Sequence, residues 1–303
     1  MKASGRTITF SLGVSALNEL VHHLREKGGI LCLITGQQGS GKTTLLIQIA
    51  THILRNNEIV IWRGRNRAQW HRFPNWHENV VLHVHQKYEP HVYIVNGASK
   101  HEIEVPYYRY KTIEGLYSHL QPGKINVIYG PSSYTFTNKL KLFLEAYIGH
   151  KIKEKKEAFF WYEFIHYLTK RLDSRFISVF IDEFDDLAPY GARGIFWKLI
   201  DWFKDAIKDC RKAYVSIYGT VHNLADVDYR VLRKFTHFVY LKGARVPSWS
   251  VVDSDKVRLL QIGVGIVESG QFGYFNFYPL PDPDYDVIVD LTIAKKKKGG
   301  DEE

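Results

Sequence analysis

Two cysteines in 303 residues are too few for a disulfide framework or a zinc cluster. Cys32 and Cys210 are therefore expected as plain packing or surface residues in a reducing, cytoplasmic setting. No run approaches the roughly 20 apolar residues of a membrane span, and the amino-terminal stretch has no signal-peptide apolar core. His83 and His85 alternate at a spacing that suits a metal. No third ligand accompanies them, however, and His71, His77 and His91 do not supply one. No spacing supports a Ser–His–Asp or Cys–His nucleophile. Internal repeats and an interdomain linker are also missing, so one domain carrying an insertion is the simplest organisation. With 45% hydrophobic and 24% charged residues, the chain has the composition of an ordinary globular protein.

What is present is sharper. Gly36-Gln37-Gln38-Gly39-Ser40-Gly41-Lys42-Thr43 is a complete G-x-x-x-x-G-K-T phosphate-binding loop. It follows an apolar run at 30–34 and opens a helical pattern from Thr44 to 54, the strand–loop–helix setting the motif requires. The glycines let successive backbone N–H groups converge on phosphate oxygens, and the helix N-terminus adds partial positive charge. Lys42 can reach the outer phosphates, and the Thr43 hydroxyl can serve Mg²⁺. A nucleoside triphosphate is the implied ligand. No guanine-recognition motif is evident, so ATP is the default.

Further along, 58–63, 124–129, 176–181, 213–219 and 235–241 read as core strands. Residues 80–84 and 92–95, parted by Pro90, suggest a short hairpin, and a second hairpin is expected around Ser269-Gly270. Helices are expected at 17–27, 112–120, across 136–172 with a break at 151–157, and at 194–212. In the last of these Phe196, Leu199, Ile200, Phe203 and Ile207 recur at helical spacing. Strands alternating with helices predict an α/β fold, a mostly parallel sheet flanked by helices on both faces. The domain is drawn over 1–290 with a β-rich insertion at about 64–123. The remainder, 291–303, with Lys295 to Lys298 in a row, is expected as a disordered charged tail.

A phosphate loop alone gives binding, and hydrolysis needs a carboxylate centre. The strand 176–181 runs into Asp182-Glu183: Asp182 is placed to hold Mg²⁺ beside Thr43, and Glu183 to polarise the attacking water. Asp185 and Asp186 are expected as loop or cap residues.

The Asp-Glu pair, with another strand intervening in the sequence, resembles the additional-strand, catalytic-glutamate division of P-loop ATPases. Within it, Ile181-Asp182-Glu183-Phe184-Asp185-Asp186-Leu187-Ala188-Pro189 resembles the "DE…LAP" segment of the FtsK/HerA superfamily of DNA-pumping ATPases. Cys210-Arg211-Lys212-Ala213-Tyr214 resembles that superfamily's entry to the fourth strand. The stretch 220–241 resembles its helix and fifth strand, and 124–129 sits where its additional strand is expected.

The resemblance implies a RecA-like core ending in a hairpin, and a homo-oligomeric ring, usually a hexamer, with ATP between subunits and double-stranded DNA through the centre. Arg211 matches the arginine finger that would reach a neighbour's phosphate, with Arg193, Arg230 and Arg233 as alternatives. Where the superfamily has Thr-Gln, this chain has Thr220-Val221-His222-Asn223, leaving the sensor to Thr220, His222 or Asn223. The short stretch ahead of the first strand fits a stripped-down form serving viral genome packaging or plasmid transfer, with viral or plasmid partner proteins. A protein-secretion or pilus-assembly motor and a nucleotide-gated assembly protein are the rival readings.

A net charge of +9 is compatible with a nucleic-acid partner. Arg63, Arg65, Arg67 and Arg72 interleave with Trp62, Trp70, Phe73 and Trp76. The pattern suits either a stacking surface for nucleic acid or a loop anchored by its aromatics. The run Lys151 to Lys156 reads as a solvated face, and 159–168 as core or a subunit interface.

Overall fold

Apolar runs with no polar face make the centre of the molecule, as expected for parallel strands covered on both sides. The computed structural model describes residues 8–9, 29–280 and 283–294. Its strands are β1 (Ile8–Thr9), β2 (Leu31–Thr35), β3 (Ile59–Arg63), β4 (Arg67–Ala68), β5 (Val80–His85), β6 (Tyr88–Asn96), β7 (Ser99–Ile103) and β8 (Tyr107–Tyr110). They continue as β9 (Ile125–Tyr129), β10 (Ile177–Ile181), β11 (Val215–Val221), β12 (His237–Tyr240), β13 (Val264–Glu268), β14 (Phe272–Asn276) and β15 (Asp286–Ile293). The longer helices are α1 (Lys42–Leu54), α2 (Asn138–Ile148), α3 (Glu157–Lys170) and α4 (Gly194–Cys210).

An 11-stranded sheet runs β1-β14-β13-β12-β2-β11-β10-β3-β9-β5-β8, and from β12 to β8 every neighbouring pair is parallel. The β13–β14 hairpin adds antiparallel strands beyond β12. Period-two alternation splits the core into two layers. Leu31, Leu33, Ile177, Val179, Ile181, Val215 and Ile217 face α3 and α4, whereas Cys32, Ile34, Phe180 and Tyr218 face α1. Phe159, Phe160, Trp161, Tyr162 and Phe164 of α3 are fully buried. At about 1.5–3 kcal/mol for each such side chain removed from water, this stretch is core within the chain.

The strand lying between the phosphate-loop strand β2 and the Asp-Glu strand β10 is β11, which follows both in sequence. The strand expected at 124–129, between the two motifs in sequence, forms as β9 and sits in the sheet beyond β3. The hairpin expected between 80–84 and 92–95 does not form. β5 joins the main sheet, and β6 pairs antiparallel with β7 across Gly97. Pro90 lies inside β6, opposite Leu291.

A four-stranded second sheet runs β4-β15-β6-β7, so the C-terminal strand completes the insertion. Its Val92, Val287 and Val289 pack into the same layer as α1. Because β15 pairs through Ile293 with Tyr88, residues 291–293 are strand and not tail. The helix expected at 17–27 and the charged end from Lys295 lie outside the described residues. No described helix is long and apolar enough to cross a membrane.

Candidate nucleotide site

Four adjacent strands, β2, β11, β10 and β3, deliver their carboxyl ends to one cleft, the usual ligand edge of an open α/β sheet. The cleft, about 620 Å³, is lined by Gln38, Gly39, Gly41, Lys42, Thr43 and Thr44 from the loop. Asp182, Glu183, Thr220, Val221 and His222 come from β10 and β11, and Gln69 and Arg72 from the insertion.

The loop holds its curl with two left-handed glycines, Gly39 at φ 75° and Gly41 at φ 93°. Gln37 N–H donates to Lys242 O at 3.1 Å, and Leu45 N–H donates to Gly41 O at 2.9 Å. The Ser40 hydroxyl is buried with no partner, and a Cβ on Gly36 would lie 2.5 Å from it. A buried, unspent hydroxyl and tightly turned backbone suit an anionic ligand that takes several donors. A Cβ on Gly41 would meet the Phe277 ring at 2.8 Å, in a backbone conformation that already disfavours side chains. Gly41→Ala is expected to weaken ATP binding about tenfold or more, since left-handed backbone alone costs ~1–2 kcal/mol. A binding titration with the variant checks this, and parental affinity would refute it.

Lys42 Nζ donates to Gly36 O at 2.8 Å and to Gln37 O at 3.1 Å, and lies 3.5 Å from His222 Nδ1. Burial lowers its pKa, opposed by the charges of Asp182, Asp185 and Glu183. Thr43 Oγ1 donates to Asp182 Oδ2 at 3.2 Å. The Thr220 hydroxyl donates to Asp182 Oδ1 and accepts from Glu183 N–H at 3.0 Å. One hydroxyl thus orients Asp182 and fixes the bend at Glu183, a non-glycine residue at φ 57°. Strand alternation sorts the residues expected to supply a sensor. Val221 is buried in the layer facing α4, so its neighbours Thr220 and His222 face the loop. Asn223 is spent capping the turn Leu224–Asp226 through Ala225 N–H.

The arginine-aromatic stretch is not a stacking surface. Trp62, Trp70, Phe73 and Trp76 are all buried, Trp62 against Phe73 and Trp70 against Trp76. Arg63, also buried, pairs with Glu157 at 3.1 Å. Arg65 reaches Glu183 Oε2 at 2.8 Å and Asp186 Oδ2 at 2.5 Å, and Arg67 pairs with Asp286. Asp186 is therefore an ion-pair partner. Sequence reasoning missed both Arg65 as the partner of Glu183 and Arg72 with Gln69 on the cleft wall. Their only signal was an arginine-rich stretch directly after a core strand.

None of Arg211, Arg193, Arg230 and Arg233 lines the cleft. Arg211 is exposed at the end of α4, before β11 begins, at the opposite edge of the sheet. Arg230 pairs with Asp228 at 2.8 Å, and Arg233 donates to the Tyr229 hydroxyl at 2.7 Å. His83 is bonded to Asn126, and burial pushes its pKa down to about 4, so it is neutral. Among the described residues no group of three or more His, Cys, Asp or Glu side chains is arranged to hold a metal ion.

Fold and loop together define a P-loop NTPase architecture: a parallel α/β sheet with a phosphate-binding loop at its carboxyl edge. A family model described as "Novel STAND NTPase 5" matches residues 3–103, a stretch that contains the loop and ends before Asp182. No curated protein matches the chain. Among solved structures, the chain is similar to the genome-packaging NTPase B204 of Sulfolobus turreted icosahedral virus 2, seen with AMPPCP. Identity is 12% with a TM-score of 0.48, over 84% of this chain and 100% of that one. It is also similar to the conjugation coupling protein TcpA of pCW3, at 11% identity and TM-score 0.36, over 84% of this chain and 61% of that one. A third is EssC (ATPases 2 and 3) from Geobacillus thermodenitrificans, at 11% identity and TM-score 0.35, over 85% and 40%.

Proposed function

We propose that this chain hydrolyses ATP and couples turnover to the movement of double-stranded DNA as one subunit of a homo-oligomeric ring. The hydrolytic reading is carried by the continuous chain from Thr43 through Asp182 and Thr220 to the Glu183 amide, closed at the mouth of the phosphate loop. Loop amides and Lys42 bind the triphosphate. Thr43 and Asp182 would hold Mg²⁺, which supplies charge neutralisation on the phosphates. Glu183 takes the proton of the attacking water. Arg65 need not leave for this: when the Glu183 carboxylate turns to water, Asp186 keeps the guanidinium in place. The DNA reading rests on the ordered FtsK/HerA-like segments at 181–189, 210–214 and 220–241 and on the net charge of +9. Arg211, which does not line its own cleft, would serve a neighbouring subunit's site.

The test is steady-state ATP hydrolysis with and without duplex DNA, at low and moderate salt, with Lys42→Ala as control. DNA-stimulated turnover that the substitution abolishes is the expected result. Turnover indifferent to DNA would transfer the cargo to protein. ATP binding without turnover would leave a nucleotide-gated assembly protein.

A further inference from the structure

Beyond the cleft, one face of the molecule combines exposed aromatics with exposed cations. Trp197, Tyr229 and Tyr190 are among its most exposed large side chains, at 46%, 59% and 74%. The Arg230 guanidinium lies 4.0 Å over the Trp197 ring, and the Arg233 guanidinium 5.2 Å over that of Tyr229. Arg230 is balanced by Asp228 and Asp201 and so anchors the Trp197 side. Arg193 and Arg233 are exposed and carry no ion pair among the described residues. From Trp197 the face continues into a depression of about 600 Å³ lined by His150, Lys151, Lys153 and Lys198. Lys198 donates to the Ile148 carbonyl, which fixes α4 against the end of α2 with the ammonium still unpaired by any carboxylate.

This face is tied directly to the chemistry. Residues 184–190, which follow Glu183, are stitched to residues 223–230, which follow the Thr220–His222 edge. Tyr190 N–H donates to Asp226 O at 2.7 Å, Asp228 N–H donates to Ala188 O at 2.7 Å, and Pro189 bridges Val227. The Asp228 carboxylate then accepts from Arg230 N–H at 2.9 Å and starts the turn Tyr229–Leu232. A ligand held at Tyr229 or Tyr190 therefore pulls on the two segments that carry Glu183 and Thr220.

We propose that this face, from Lys151 and Lys153 across Lys198, Arg193 and Trp197 to Arg233, binds the phosphate backbone of duplex DNA and relays its presence to Glu183 and Thr220. The assignment rests on the DNA reading above and locates its contact. Phosphate is favoured as the ligand because the unpaired groups are cations spread along a shallow surface. The rings serve to hold guanidinium groups flat and outward. Binding of this kind is independent of sequence and weakens steeply with salt.

The experiment measures binding of the full chain to a labelled DNA duplex by anisotropy across a salt titration, beside hydrolysis without DNA. Two variants are compared with the parent: Lys151→Glu with Lys153→Glu, and Arg233→Gln. The double variant is expected to lose about tenfold or more in affinity, and each removed cation to lower the salt slope by about one. It should keep parental hydrolysis without DNA and lose DNA stimulation; Arg233→Gln is judged on binding alone. Variants that bind DNA as the parent does overturn this surface and leave the motor reading standing. A parent that hydrolyses ATP but binds no duplex overturns both the surface and the DNA cargo, and turns the exposed aromatics to a protein partner.

Discussion

Glu183→Gln is expected to bind ATP as the parent does and to hydrolyse it about a hundredfold more slowly, or worse. General-base assistance contributes roughly 10²–10⁴ in rate, and an amide cannot accept the proton. The substitution is nearly isosteric, and the surrounding contacts predict that it is structurally quiet. The Glu183 backbone N–H stays bonded to the Thr220 hydroxyl. The amide oxygen of a glutamine can still accept from Arg65, whose other carboxylate, Asp186, is untouched. Lys42, assigned to phosphate, and Thr43 and Asp182, assigned to Mg²⁺, are not altered. Steady-state turnover beside an equilibrium titration with ATP separates the two effects. Turnover within a few-fold of the parent would remove Glu183 from the base role. Asp185, whose pKa burial raises and which lies next along the turn, would then be the group to examine.

The parts of this site that lie in contiguous residues were legible beforehand. A loop that binds phosphate through its own backbone must carry its glycines, lysine and threonine in one fixed run, so Gly36 to Thr43 declared itself. Asp182 and Glu183 declared themselves because an apolar strand ended on them. What depended on lateral order in the sheet did not. β11 slips between β2 and β10 although it follows both in the chain, and Thr220 stands beside Asp182 for that reason. The insertion could not be bounded, because its sheet is finished by β15, whose Val287 pairs with Ala68 of β4 from far down the chain. Arginines alternating with tryptophans have the same composition whether the rings plug a core or stack on bases. Only burial distinguishes the two, and Trp70 shares its buried layer with residues as distant as Val287 and Val289.

Trp70→Ala should therefore act on stability and not on DNA. The ring is fully buried, packed at 5.2 Å against Trp76, and its Nε1–H donates to the Tyr129 hydroxyl at 3.0 Å. Truncating a buried Trp to Ala typically costs ~3–5 kcal/mol. Here the loss also strips one partner from a buried tyrosine hydroxyl, which adds to the cost. The damage should spread toward the cleft. Trp70 opens the short turn Trp70–Arg72, which brings Arg72 to the cleft wall, and Tyr129 also donates to the backbone oxygen of Arg65 at 3.4 Å. A denaturant titration is expected to show the midpoint falling sharply, with ATP affinity declining as the Arg65 and Arg72 segments loosen. Trp70→Phe, which keeps most of the ring volume and loses only the N–H, should fall between the variant and the parent. DNA affinity per folded molecule should stay at the parental value in both. The opposite pattern, parental stability with DNA affinity selectively lost, would require the aromatics to be reachable by a base. A fully buried ring packed against Trp76 is not.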